Sequence, residues 1–283
     1  MKSWKFAAIF CAATVIASAP ARAASELVHF DGFGNLSLQG FLFAPTTPGK
    51  HPAIVALHGC AGLTEKDGTL SARHADWGER WAAAGYVVVF PNSFASRGLG
   101  PQCKVHEREV KPSEERVTDA NSALRYLTDK RKDVDVSNIT LVGWSNGGSS
   151  TLYAVEPKNK MDGGPDFARA IAFYPGCRVP LESGKWATRV PLTILIGQAD
   201  DWTPAQPCVD LGSAAKSGGP KVDVVTYAGA YHDFDHPDLA VHTVEGLAFT
   251  ANGSGVAHTG TNPAARADAI KRVMALIGSP PKP

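Results

Sequence analysis

The sequence predicts an α/β fold in a single domain, with a mostly parallel sheet and helices on both faces. Three observations carry this expectation. Short, continuously apolar, β-rich runs recur along the chain, and a strand apolar on both sides must be covered on both sides. Segments with helical spacing lie between those runs, as parallel strands require. No internal repeat and no Pro-, Gly- or Ser-rich linker divides the 283 residues, a length that suits one large α/β domain. A chain of this size buries roughly three quarters of its unfolded surface and needs no staples to fold.

The elements follow in order. Leu36 to Phe43 alternates and stops at Ala44-Pro45. Ala53 to Leu57 (AIVAL) is a continuous apolar strand, and Tyr86 to Phe90 (YVVVF) is another, closed by Pro91-Asn92. Ile139 to Val142, Ala170 to Phe173, Leu192 to Ile196 and Val222 to Tyr227 continue the series. Helical patterns fill the gaps. His74 to Ala84 leads into YVVVF, and a segment opening at Ser113-Glu114-Glu115-Arg116 runs to about Lys132. In it, Val117, Ala120, Ala123, Leu124 and Leu127 share one face. Ala264 to Ile277 closes the chain as an amphipathic helix. Asp162-Gly163-Gly164-Pro165 and Ser217-Gly218-Gly219-Pro220 read as surface turns.

Residues 1–23 are expected to be a cleaved secretory signal, leaving residues 24–283 as the domain. Lys2 and Lys5 precede an apolar stretch from Phe6 to Ala19, and Ala21-Arg22-Ala23 offers small residues where a signal peptidase reads. The expected location is therefore periplasmic or secreted. Cleavage lowers Lys+Arg from 28 to 25 against 27 acids, a mature charge of about −2. No basic run remains, which argues against nucleic acid, and no later apolar stretch approaches a membrane span. A monomer or small homo-oligomer is expected. Cys60, Cys103, Cys177 and Cys208 survive cleavage, and an even count in an exported chain favours disulfides, with three pairings open. No C-x-x-C or close Cys/His spacing supports zinc, the aspartates of HDFDHPD read as ordinary loop acids, and no cofactor is expected.

Gly143-Trp144-Ser145-Asn146-Gly147 follows the Ile139 run directly. A serine on a tight strand-to-helix turn faces the cleft beyond the carboxyl ends of the strands. Side chains two residues to either side would collide across such a turn, and glycine removes them. A serine needs a base, and histidine is the usual one. Asp200 and Asp201 follow the Leu192 strand, and His232 and His236 follow the Val222 strand. Serine, acid and histidine thus occur in the order of this architecture, each just beyond a strand. A histidine base would make hydrolysis fade near pH 6.5 or somewhat below it.

The stretches LHGCAGL, GYVVVFPNSF, GWSNGG, FYPGC, LIGQADDWTP and GAYHDFD span most of the mature chain. From about Phe33 onward it resembles the dienelactone hydrolase family, in particular its exported, serine-bearing members. That resemblance implies an α/β-hydrolase fold. It selects Asp200, four residues before Pro204, as the acid, and His232, two residues before Phe234, as the base. Asp201 is then expected to cap the following helix and His236 to lie in its loop. The resemblance also places the oxyanion donors at the N–H groups of Asn146 and Cys60. The family's name-giving enzymes carry cysteine where Ser145 stands and a glutamate where Gly59 stands.

Two disulfides are expected, Cys60–Cys103 across loops at one sheet edge and Cys177–Cys208 bracing the loop of Asp200. Two readings of Arg97 stand side by side: the resemblance implies that it holds a carboxylate on the substrate, as a similarly placed arginine does in the family, and its place in a loop equally suits a solvated arginine. Trp144 and Trp202 border the site and either form an apolar wall for substrate or fill the core; wall is the reading for Trp202, and both stay open for Trp144. The expected activity is hydrolysis of small carboxylic esters or lactones through an acyl-enzyme. A peptidase or amidase on the same fold shares every catalytic residue, and a non-catalytic binding module is the remaining alternative.

Overall fold

The computed structural model describes residue 1 and residues 25–215 and 219–278. The expected leader, from residue 2, and Ser217-Gly218 of the second expected turn lie outside these residues.

An eight-stranded sheet organises the chain. In sequence its strands are β1 (Glu26–Asp31), β2 (Ser37–Phe43), β3 (His51–Leu57), β4 (Val87–Pro91), β5 (Val134–Trp144), β6 (Arg169–Phe173), β7 (Leu192–Gly197) and β8 (Val222–Tyr227). Their spatial order is β1-β2-β4-β3-β5-β6-β7-β8. Pairing is antiparallel from β1 to β2 and from β2 to β4, and parallel from β4 through to β8.

The expected apolar runs all lie in strands, and burial explains why they were continuous. Every residue of β3 and β4 is buried, so both faces of the sheet are covered there. The helices are α1 (Ala72–Ala83), α2 (Glu115–Lys130), α3 (Asn146–Ala154), α4 (Arg178–Glu182), α5 (Ala205–Ala214) and α6 (Pro263–Ile277). An Arg266–Asp76 ion pair at 2.6 Å ties α6 to α1. Helix α6 starts at Asn262, whose side chain accepts from the Ala265 N–H, with Pro263 at the first helical position.

Strand β1 and a small hairpin were not expected. In β1 only Val28 and Phe30 are buried, so at the sheet's edge it carries little apolar signal. The hairpin pairs β9 (His242–Glu245) with β10 (Val256–Thr259).

Both expected disulfides are present: Cys60–Cys103 and Cys177–Cys208. Disulfides of this kind belong to an oxidising compartment. Among the described residues, no helix is long and apolar enough to cross a membrane.

Candidate active site

The site is built at the carboxyl ends of β5, β7 and β8, where an open α/β sheet binds its ligands. Strand β5 ends at Trp144, and α3 starts at Asn146. Ser145 alone makes the turn, at φ 52° and ψ −114°. A side chain on Gly143 would meet the Gly147 carbonyl oxygen at 2.2 Å. One on Gly147 would meet the Leu57 carbonyl oxygen of β3 at 2.1 Å. Gly143 thus relieves the turn itself, while Gly147 lets α3 press against the neighbouring strand.

Three side chains converge there. His232 Nε2 lies 2.9 Å from Ser145 Oγ, and His232 Nδ1 lies 2.8 Å from Asp200 Oδ2. All three are buried. Asp200 also accepts from the backbone N–H groups of Trp202 (3.0 Å) and Thr203 (2.8 Å) and from the Thr203 hydroxyl (3.1 Å). These bonds aim the carboxylate, and the carboxylate orients the imidazole. Burial pulls the His232 pKa down, but the charge and hydrogen bond of Asp200, with a further contribution from Asp233, raise it overall. The arrangement can take a proton from the Ser145 hydroxyl and return it to a leaving group.

Backbone strain gathers in the same place. Among the described residues, four that are not glycine have positive φ, and three of them are Ser145, Tyr174 and Asp233. Tyr174 follows β6 directly, and Asp233 follows His232. Such conformations persist only where the surroundings hold them.

A polar network behind the triplet does the holding, and sequence reasoning missed it. The Asp235 carboxyl is buried and accepts from Trp77 Nε1 (2.8 Å), Trp144 Nε1 (2.8 Å) and the Tyr174 hydroxyl (2.6 Å). Arg73 donates to Tyr174 Oη (3.0 Å) and is paired with Asp233. From sequence Asp235 reads as an ordinary loop acid. Its only sequence signal was its place three residues after His232.

A cleft of about 1090 Å³ opens over Ser145, with Cys60, Asn146, Trp202, Tyr153 and Phe249 among its lining. The two expected oxyanion residues therefore lie in the cleft beside the serine. Trp202 lines it as expected, and its ring sits 4.6 Å from that of His232.

The other expectations need correcting. Trp144 is not a wall: it is fully buried among Trp77, Trp81, Phe90 and Phe173, with its N–H on Asp235. Arg97 does not line the cleft. Both of its terminal nitrogens bond to Asp119 at 2.8 Å, and one also donates to the Ser93 carbonyl. A buried carboxylate on α2 has claimed the guanidinium that was expected to meet substrate. Asp201 caps no helix, since α5 begins after Pro204. It accepts instead from His258, at the backbone N–H (2.8 Å) and at Nδ1 (2.7 Å). That bond fastens the β9–β10 hairpin beside Asp200. His236 lies in its loop as expected. Among the described residues, no cluster of His, Cys, Asp and Glu is arranged to hold a metal ion.

Three solved structures illustrate the likeness to known proteins. A protein of Klebsiella pneumoniae subsp. pneumoniae that carries a dienelactone hydrolase name is 16% identical, with a TM-score of 0.63 over 90% of this chain and 98% of its own. Thermogutta terrifontis esterase 2, phosphoramylated by tabun, is 20% identical, with a TM-score of 0.65 over 93% and 98%. An acylaminoacyl peptidase, in complex with a chloromethyl ketone, is 18% identical, with a TM-score of 0.61 over 76% of this chain and 38% of its own. At these identities the likeness is one of fold. No curated protein matches the sequence. The family model for dienelactone hydrolases matches residues 38–279, and the chain belongs to the dienelactone hydrolase family.

Proposed function

We propose that the protein is a serine hydrolase of carboxylic esters or lactones, working through an acyl-enzyme. The hydrogen-bonded chain from Ser145 through His232 to Asp200 is the observation that carries this reading. In the first step Ser145 Oγ bonds to the acyl carbon while its proton passes to His232 Nε2. The carbonyl electron pair moves to oxygen, where the N–H groups of Asn146 and Cys60 receive the negative charge. As the carbon–oxygen bond to the alcohol breaks, His232 returns the proton to the leaving oxygen. Water then repeats the sequence on the acyl-enzyme and frees the acid. Asp200 keeps the imidazole in the productive tautomer throughout.

Trp202 and Phe249 provide apolar surface for the substrate in this reading, and the size of the cleft suits a small molecule. The protein is exported, residues 1–23 being its signal, and the two disulfides accord with a periplasmic or secreted location.

An amidase or peptidase would use the same three side chains, and the acylaminoacyl peptidase among the fold neighbours keeps that reading in view. Two measurements decide. A fluorophosphonate probe should label the native protein at Ser145, and Ser145→Ala should abolish labelling and all but a residue of turnover without loss of folding. Failure of the native protein to label would remove the hydrolase reading. Short p-nitrophenyl esters should turn over faster than aminoacyl amides, and the reverse order would favour the peptidase.

A further inference from the structure

Arg116, in the first turn of α2, is fully buried, an unusual place for a guanidinium. Among the described residues it forms no ion pair. The nearby carboxylate of Asp119 is already gripped by both terminal nitrogens of Arg97. Arg116 Nη1 donates to the side-chain oxygen of Asn146 at 2.5 Å. Its Nε and Nη2 have no hydrogen-bond partner among the described residues. The cation lies over the Phe94 ring, 5.3 Å from its centroid. Burial pulls its pKa down to about 9; Asp119 opposes this, and Arg108 and Arg97 add to it.

Burying an unpaired cation costs several kcal/mol, and a methionine or leucine of similar reach would avoid the cost. The single directed bond that the cation makes therefore identifies what it holds. That bond lands on the residue directly after Ser145, whose backbone N–H must point at the oxygen that becomes negative. The Ser145–Asn146 peptide is held at its carbonyl, which accepts from the Ser149 N–H (2.8 Å) and hydroxyl (3.2 Å), and the Arg116 bond adds a second hold through the Asn146 side chain. Anchored to α2, that side chain fixes Asn146 from behind.

We infer that Arg116 is a positioning residue for the oxyanion hole, holding Asn146 by its side chain so that the backbone N–H stays aimed at the developing oxyanion. The inference rests on the serine hydrolase reading above. It predicts a role in the transition state with little effect on ground-state binding.

The test compares the native protein with Arg116→Met, Arg116→Lys and Asn146→Ala. Folded protein is counted by circular dichroism, and p-nitrophenyl acetate and a fluorophosphonate serve as probes. Arg116→Met should lower kcat about 10- to 100-fold with KM within about twofold, less than the loss of a whole oxyanion donor. A trifluoromethyl ketone, which mimics the tetrahedral state, should bind more weakly by the same factor. Arg116→Lys, keeping one donor and the charge, should recover part of the loss. Asn146→Ala should show the same slowing. In its background Arg116→Met should add little, because both remove one interaction. If Arg116→Met does not fold, Asn146→Ala alone decides. Probe labelling of Ser145 at the native rate in the folded variants would overturn the inference while leaving the hydrolase reading intact. A loss confined to KM, or a ketone affinity that does not move with kcat, would overturn it equally. A native protein that never labels would overturn the hydrolase reading, and the inference with it.

Discussion

Trp144 and Asp235 share a hydrogen bond of 2.8 Å, which ties the residue before the candidate nucleophile to the loop of the candidate base. The same carboxyl holds Trp77 of α1 and Tyr174 after β6. Four separate segments thus meet on one buried side chain. Asp235→Ala would leave three buried donors unpaired, each costing about 1–3 kcal/mol. The expected loss is about 3 kcal/mol or more by urea unfolding, with Ser145 labelling slowed in the fraction that folds. A change under about 1 kcal/mol would show that the network is replaceable.

Hydrolysis should depend on pH through His232. The base must be neutral to accept the serine proton, so activity falls as pH drops through its folded pKa. Burial alone would lower that pKa, but Asp200 reverses the sign, so the acid limb should lie above 6.5 and not below it. Asp200→Asn removes the raising charge. Its limb should move to lower pH, and kcat should fall by about 10³–10⁴-fold. The pH dependence of kcat/KM for p-nitrophenyl acetate measures both, and a native limb below 6.5 would contradict the account.

Gly147→Ala should fail at the backbone. Its added carbon would sit 2.1 Å from the Leu57 carbonyl oxygen, an atom held in the centre of the sheet. Overpacking against backbone costs about 1–3 kcal/mol and occasionally more, and here the upper end is expected. Thermal unfolding checks it. A Tm within a degree or two of the native value would mean that α3 can shift at no cost.

Asp201→Ala should separate binding from chemistry. The Asp201–His258 pair is half exposed on both sides, so its loss should cost under about 1 kcal/mol of stability. The pair nevertheless fastens the hairpin that carries Phe249 over the cleft. The expected result is a KM raised several-fold with kcat within about twofold. An unchanged KM would show that the hairpin is held from elsewhere.

The central sheet was legible because burial on both faces leaves continuous apolar runs such as AIVAL and YVVVF. Strand β1 was not, because only Val28 and Phe30 face the core. The four-residue strands of the hairpin, HTVE and VAHT, offer too few apolar residues to announce themselves. Ser145, Asp200 and His232 could be read from strand order, motif and resemblance. Arg97 and Asp235 could not be placed, since their roles depend on partners distant in the chain. Arg97 is claimed by Asp119 of α2, and Asp235 collects donors from three other segments. A loop residue's type reveals its charge, while the partner waiting in the fold decides whether that charge is free for substrate.

The rim of the cleft comes from residues 106–113 and 248–253, which belong to none of the eight sheet strands. The candidate catalytic side chains, by contrast, follow the ends of sheet strands. Selectivity and reactivity are therefore separable in this scaffold. Grafting a different loop between the two hairpin strands, from Gly246 to Gly255, would remodel the entrance while keeping Thr259, which donates to the Asp233 carboxylate (2.9 Å) and the His232 carbonyl (3.3 Å). Such a graft is a natural starting point for broadening the range of molecules admitted.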